Sequence, residues 1–373
     1  MVKSRSTLKT TLRQLGIKQI GDEAMGITEF RLRNGLKVLL SANQSAPIVT
    51  FMQLFRVGSR DEGVGHTGAT HFLEHMMFKG TRKFDPDKGF DATELLNRIG
   101  AISNATTSED RTNYFEVVPS EYLEFCIKLE ADRMRNLRLR QQDRDAEMSV
   151  VRNELERGEN SPEEALDKEM YAIAFREHPY HHPTIGWRSD VEGVPMTRLK
   201  KFYDDFYWPN NCSVVLTGDF EIETALRLIH KYYDKIPASP HTIPHVYTVE
   251  PPQEGERRYE IRRNGDLARV WIGYHVPSSS HADHHAVNLV SHLLGSSADR
   301  SSRLYSALVD TGLAVDIMAR HDERRDPGLL VIGAYVTPGV EPLAVENANY
   351  AEGAKWAEVE GSDHELAAVR SAK

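Results

Sequence analysis

The sequence His71-Phe72-Leu73-Glu74-His75 constrains this chain more than any other stretch, because on a helix it sets two imidazoles and a carboxylate side by side. Residues four apart on a helix lie one above the other, so His71 and His75 project together, with Glu74 beside them at i+3. Two neutral imidazoles held in this way are half of a zinc site. Catalytic zinc takes three protein ligands and keeps an open position for water, and a carboxylate next to the histidines is a candidate base for that water. A helix is expected over residues 69–79, which contain neither proline nor glycine, with Thr67 and Gly68 as its start and Gly80 as its stop. A buried amphipathic helix with two hydrogen-bonded histidines is the plainer reading. The acid on the same face, in an otherwise apolar run, favours metal. H-x-x-E-H is the inverse of the better-known zinc-binding pattern H-E-x-x-H.

A net charge of −9 over 373 residues argues against a nucleic-acid surface. Cys126 and Cys212 stand far apart, which supports neither a disulfide framework nor a cysteine zinc site. The first twenty residues carry Lys3, Arg5, Lys9, Arg13 and Lys18 with no acid, and lack the apolar core of about 7–15 residues that a secretory signal needs. Residues 1–24 therefore read as an arm or entry helix, and the expected location is cytoplasmic. No apolar run of about 18 residues occurs, so no membrane span is expected.

Alternation on both sides of Asn34-Gly35 predicts a hairpin over residues 26–40, and a third strand is expected at 48–55. Helices are expected at 91–99, 120–137 and 142–157, the last closed by Gly158, and strands at 101–107 and 113–119. On the charged helix 142–157, Glu147, Val151 and Glu154 fall at i, i+4 and i+7. Both acids therefore share a face and either could be a third ligand, although a solvated charged helix is the simpler reading of the residues alone.

The motif with Glu147 and Glu154 resembles the pitrilysin and mitochondrial processing peptidase family of zinc metallopeptidases. Gly58-Ser59-Arg60-Asp61-Glu62, Phe78-Lys79-Gly80-Thr81, Gly186-Trp187 and Tyr207-Trp208-Pro209-Asn210-Asn211 resemble family segments too. The resemblance implies two related α+β domains, each a mostly antiparallel sheet covered by helices, the second apparently incomplete. It implies one zinc ion per chain held by His71, His75 and Glu154, with Glu74 as base and Glu147 as supporting carboxylate. Ser103, Asn104, Ala105 and Thr106 would lie on the edge strand that pairs with an extended peptide substrate. A homo- or hetero-dimer with a chain of similar fold is expected. In relatives that carry it, a substrate-gripping arginine and tyrosine stand seven residues apart, and the corresponding stretch here has Leu308 and Val315. The rival function is a non-catalytic or weakly active subunit of such a complex; those relatives typically lose zinc or base residues, which this chain keeps.

Five of 17 prolines fall in residues 237–256, the expected linker between a peptidase domain at 25–236 and a second domain at 257–373. In the second domain, strands are expected at 257–261, 268–275 and 328–336, and helices at 283–294, 303–310 and 362–372. Two other histidine groups read as structural: His178, His181 and His182 sit in a proline-flanked loop, and His281 and His285 would share a helical face but lack a carboxylate placed as Glu74 is.

Overall fold

The computed structural model describes residues 2–21, 25–295 and 300–358. By internal contacts the chain divides into two compact α+β units, residues 1–160 with 177–251, and residues 161–176 with 252–373.

The first unit is built on a seven-stranded sheet of β1 (Lys18–Gln19), β2 (Thr28–Arg31), β3 (Lys37–Ala42), β4 (Ile48–Phe55), β5 (Ile102–Thr107), β6 (Thr112–Pro119) and β7 (Cys212–Gly218). The order is β1-β2-β3-β7-β4-β6-β5, and every neighbouring pair is antiparallel except β3 with β7. Central strand β7 buries Val214 and Leu216 completely, and β4 buries Val49, Phe51 and Phe55. The expected hairpin is β2–β3, joined by residues 32–36. Gly35 takes φ +89°, while the Asn34 amide donates to the carbonyls of Tyr233 and Ile236 at 2.8 Å, so the turn also anchors the end of helix Ile222–Tyr233. The N-terminal segment forms helix Val2–Leu15, whose Leu12 joins the core and whose Thr11 hydroxyl meets Glu223 and Arg227 of that same helix.

Edge strand β5 has β6 on one side only, and this leaves its other edge open for pairing. Between β4 and β5 lies the motif helix, Ala69–Met76, prolonged by a 3₁₀ turn, Met77–Lys79. Gly80 ends it at φ 96°, ψ 167°, a positive-φ conformation that favours glycine but is not the left-handed helical cap expected. The charged helix is longer than expected: Gln141–Asn160 runs straight through Gly158. A glycine inside a helix costs only about 1 kcal/mol. The effective stop comes afterwards, where Ser161 caps helix Pro162–Ala174 through its hydroxyl and Pro162 occupies the first turn.

Helix Pro162–Ala174 packs with the second unit, whereas the sequence suggested one uninterrupted domain over 25–236. Arg269 pairs with Glu163 at 2.8 Å, Arg320 pairs with Asp167, and Arg257 donates to the carbonyls of Ile173 and Ala174 at 2.7 Å. The second unit has a three-stranded antiparallel sheet of β8 (Arg269–Val276), β9 (Ala314–His321) and β10 (Gly328–Val336), with β10 in the centre. The strand expected at 257–261 does not form. Its alternate residues are charged and exposed, no strand among the described residues pairs with it, and the irregular chain continues to residue 268. Strand β9 was not foreseen, and the helix expected at 303–310 forms over residues 303–309 with π-helical geometry at Tyr305–Val309. The helix expected at 362–372 lies outside the described residues. No helix among the described residues is long and apolar enough to cross a membrane.

Candidate metal centre and active site

The motif helix starts without a side-chain cap of its own. Gly68, at φ +83°, holds the N-cap position, and a Cβ there would lie 2.3 Å from the Ile185 carbonyl oxygen. Gly186 is equally crowded against Thr67, so the two glycines let the helix start and the Gly186-Trp187 segment pack backbone to backbone. The capping acceptor comes from the preceding loop: buried Glu62 accepts from Gly68 N at 2.7 Å and from Thr70 N at 2.6 Å. Sequence reading missed this role because Glu62 lies outside the spacing of a capping box.

From this helix His71 and His75 face Glu154 on helix Gln141–Asn160. His71 Nε2 is 3.6 Å from Glu154 Oε1, His75 Nε2 is 3.4 Å from Glu154 Oε2, and one donor atom from each of the three lies within 4.8 Å of the others. Ligands about 2.0–2.1 Å from a tetrahedral zinc stand about 3.3 Å apart, so the group needs little adjustment to close on an ion. The donor set, two imidazoles and one carboxylate, is also the one catalytic zinc takes. His71 Nδ1 is buried and has no hydrogen-bond partner.

Glu147, one face-repeat before Glu154, does not join the three. It is buried, lies 2.8 Å from His75 Nδ1 through Oε1, and pairs through Oε2 with Lys79. It thereby fixes the ring so that Nε2 points at Glu154. Glu74 turns towards β5, where the Thr107 hydroxyl donates to its Oε2.

Charges differ sharply across these few side chains. Burial, reinforced by the neighbouring His75, holds the His71 imidazole down at about 4. Burial also acts against charge on His75, but the Glu147 and Glu154 carboxylates outweigh it and lift that ring to about 9. Burial raises the Glu74 carboxyl above its ordinary value against the opposing Thr107 hydrogen bond. The His75 hydrogen bond lowers Glu154.

These residues line a cleft of about 780 Å³ whose walls include Asn104, Ala105, Val150, Asn153 and Arg157. Of the four strand residues singled out in the sequence, Asn104 and Ala105 reach this cleft. Ser103 and Thr106 belong to β5 but do not line it, and Thr106 instead bonds to Asn113 at 2.8 Å. The Asn104 side chain accepts from Ala105 N at 2.9 Å, so it occupies a main-chain donor. Thr107 and Lys79 were missed because their value lies in contacts across elements that spacing does not encode. His178 and His181 are engaged locally, with His178 Nδ1 accepting from Tyr180 N and His181 Nδ1 beside the His178 carbonyl.

Residues 37–187 match the family model described as insulinase (peptidase family M16), and residues 194–372 match the one described as peptidase M16 inactive domain. A zinc protease PqqE from Helicobacter pylori is 32% identical over 320 residues, which cover 84% of this chain and 71% of that protein. This chain belongs to peptidase family M16. The crystal structure of a protease from Helicobacter pylori superposes with a TM-score of 0.86 at 30% identity, covering 91% of this chain and 82% of that one. A probable mitochondrial-processing peptidase subunit beta from Arabidopsis thaliana is 26% identical over 311 residues, 81% of this chain and 58% of that protein. As an M16 member the chain has relatives named zinc proteases, which supports peptidase activity at the level of the family.

Proposed function

We propose that this M16 chain is a zinc-dependent endopeptidase that hydrolyses unfolded or flexible peptides, with His71, His75 and Glu154 holding one zinc ion and Glu74 serving as general base. The observation that carries this reading is the convergence of three ligand atoms within 4.8 Å, in a cleft that also holds an independent carboxylate, Glu74. Zinc bound there would supply a water of pKa about 7 and polarise the scissile carbonyl. Glu74 takes the proton of the attacking water on a carboxylate oxygen and hands it to the leaving amine. Its raised pKa suits both halves of that transfer. Thr107 orients the carboxylate, and Glu147 with Lys79 keeps His75 in a single ring orientation. The open edge of β5 takes the peptide as one more strand through main-chain hydrogen bonds, which select for extended chain more than for side chains. Asn104 gives up its bond to Ala105 N when the peptide arrives.

A second reading, a subunit with little activity of its own, is favoured by Leu308 and Val315. Leu308 is wholly buried in the core of the second unit and Val315 is half-exposed, so neither offers the polar grip that the resemblance leads one to expect. We therefore take the active form to be an assembly with a chain of similar fold that carries such a pair. The test of the catalytic assignment is Glu74→Gln. Zinc content should stay at the parent level while hydrolysis of an unfolded peptide by the assembled enzyme falls about 10²–10⁴-fold. Near-parental turnover by the variant would overturn the assignment of Glu74.

A further inference from the structure

The second unit gathers a group of ring nitrogens that its hydrogen bonds leave unsatisfied. His284 opens helix His284–Gly295 and His321 closes β9, and their rings meet with centroids 5.1 Å apart. Glu323, in the turn after β9, brings Oε1 to 3.7 Å from His284 Nε2. One donor atom from each of the three lies within 4.8 Å of the others, as in the Glu154 group. His284 is only 8% exposed. Its Nδ1 and both ring nitrogens of His321 are buried without a hydrogen-bond partner. Burying both His321 nitrogens unpartnered is costly, and that ring faces a second imidazole, His284, whose Nε2 is turned to a carboxylate, so the three have the arrangement of ligands. Asn288, one helical turn after His284, donates to Glu323 Oε1 at 2.7 Å and holds that carboxylate towards the rings.

We propose that His284, His321 and Glu323 form a second cation site, one that takes a divalent transition ion of the Zn²⁺ class. Two imidazoles and one carboxylate suit Zn²⁺, whereas Mg²⁺ and Ca²⁺ require mainly oxygen ligands. The 3.7 Å separation exceeds the roughly 3.3 Å of a tetrahedral site by an amount that the exposed Glu323 side chain can close. Exposure of Glu323 also leaves room for water as the remaining ligand. The ion would tie the first turn of helix His284–Gly295 to the end of β9, so its binding adds to the stability of the second unit. In sequence the pair weighed in this histidine cluster, and read as structural, was His281 with His285. The helix begins only at His284, and the ring nitrogen of His281 is spent on Asp283 N, so that pair does not form.

The experiment is a Zn²⁺ titration of the full chain after chelator stripping, read as equivalents bound, on the parent, on His71→Ala/His75→Ala, and on each of these with His321→Gln or Glu323→Gln. The parent should bind two equivalents and His71→Ala/His75→Ala one, and either second-unit substitution should remove one equivalent from both backgrounds. Glu323 is exposed, so Glu323→Gln tests the site without disturbing the core. A parent equivalent count unchanged by Glu323→Gln and His321→Gln would overturn the proposal, as would a folded His71→Ala/His75→Ala chain that binds no Zn²⁺. Failure of the proposed peptidase site looks different: the parent and His71→Ala/His75→Ala would then bind the same number of equivalents.

Discussion

Glu147 Oε1 lies 2.8 Å from His75 Nδ1, on the side of the ring opposite the nitrogen that faces Glu154. One helix face therefore serves a single histidine twice, seven residues apart, and the two acids compete for the same assignment in sequence but not in space. Glu147→Gln keeps the shape of the side chain and loses its charge, and should weaken zinc binding about 10–100-fold, the usual effect of an outer partner. Glu154→Gln should weaken it more. Zinc dissociation constants of the two variants check this, and the reverse order would exchange the roles of the two residues.

Zinc binding should expel a proton. In the metal-free chain His75, lifted to about 9, is protonated near neutral pH, whereas His71, held at about 4, is already neutral. A ligating imidazole must be neutral, so loading this site at about pH 6, below the pKa of about 7 of a zinc-bound water, should release close to one proton, that of His75. Calorimetry in buffers of different ionisation enthalpy reads that number, taken as the release by the parent chain beyond that by His71→Ala/His75→Ala. The same shift has a stability consequence for the metal-free protein. A raised imidazole stabilises the fold fully below its unfolded value near 6.5, and this contribution is lost as pH rises through about 9. His71, being depressed, acts in the opposite sense: its contribution is present above 6.5 and is lost as pH falls through about 4. Release of no proton at about pH 6 would show that the carboxylates do not hold His75 charged.

Glu62 is the residue on which the orientation of the motif helix depends. Glu62→Ala would leave the buried N–H groups of Gly68 and Thr70 without their acceptor, at about 1–3 kcal/mol for each donor. The expected outcome is a lower denaturant midpoint accompanied by weaker zinc binding, with Glu62→Gln milder because it keeps one acceptor oxygen. Gly68→Ala should also destabilise, by about 1–2 kcal/mol from the left-handed backbone alone and further from the approach to the Ile185 carbonyl. Unaltered midpoints in both variants would refute this account of the helix start.

What could be read in the sequence follows the range of each interaction. His71, Glu74 and His75 are legible because one helical turn joins them, and β4 and β10 because their apolar runs fill buried strands. The placement of β7 between β3, to which it is parallel, and β4, to which it is antiparallel, has no local signal, since its cause is the burial of Val214 and Leu216 at the centre of the sheet. Thr107, Lys79 and Glu62 act across loops or between elements, so neither periodicity nor spacing marks them. His284 and His321 meet only because a helix start and a strand end are brought together by packing, and the reading of segment 281–285 as structural weighed only His281 with His285. Residues 257–261 have strand-like alternation without a partner strand, and alternation alone does not make a sheet.

Assayed alone, the chain should be a poor peptidase. Leu308, fully buried among Leu304, Ile317 and Val345, cannot be turned into a gripping arginine without placing a charge in the core, so no simple substitution restores the missing pair within this chain. A peptide held only by the β5 edge is loosely positioned over the site, and misplacement of about 1 Å can cost 10²-fold in rate. Addition of a chain of similar fold bearing the arginine and tyrosine should raise kcat/KM at least about 100-fold without changing the zinc content of this one. The measurement is cleavage of an unfolded peptide by the purified chain before and after that addition. Brisk cleavage by the chain alone would mean that β5 and the Glu154 cleft grip the substrate unaided.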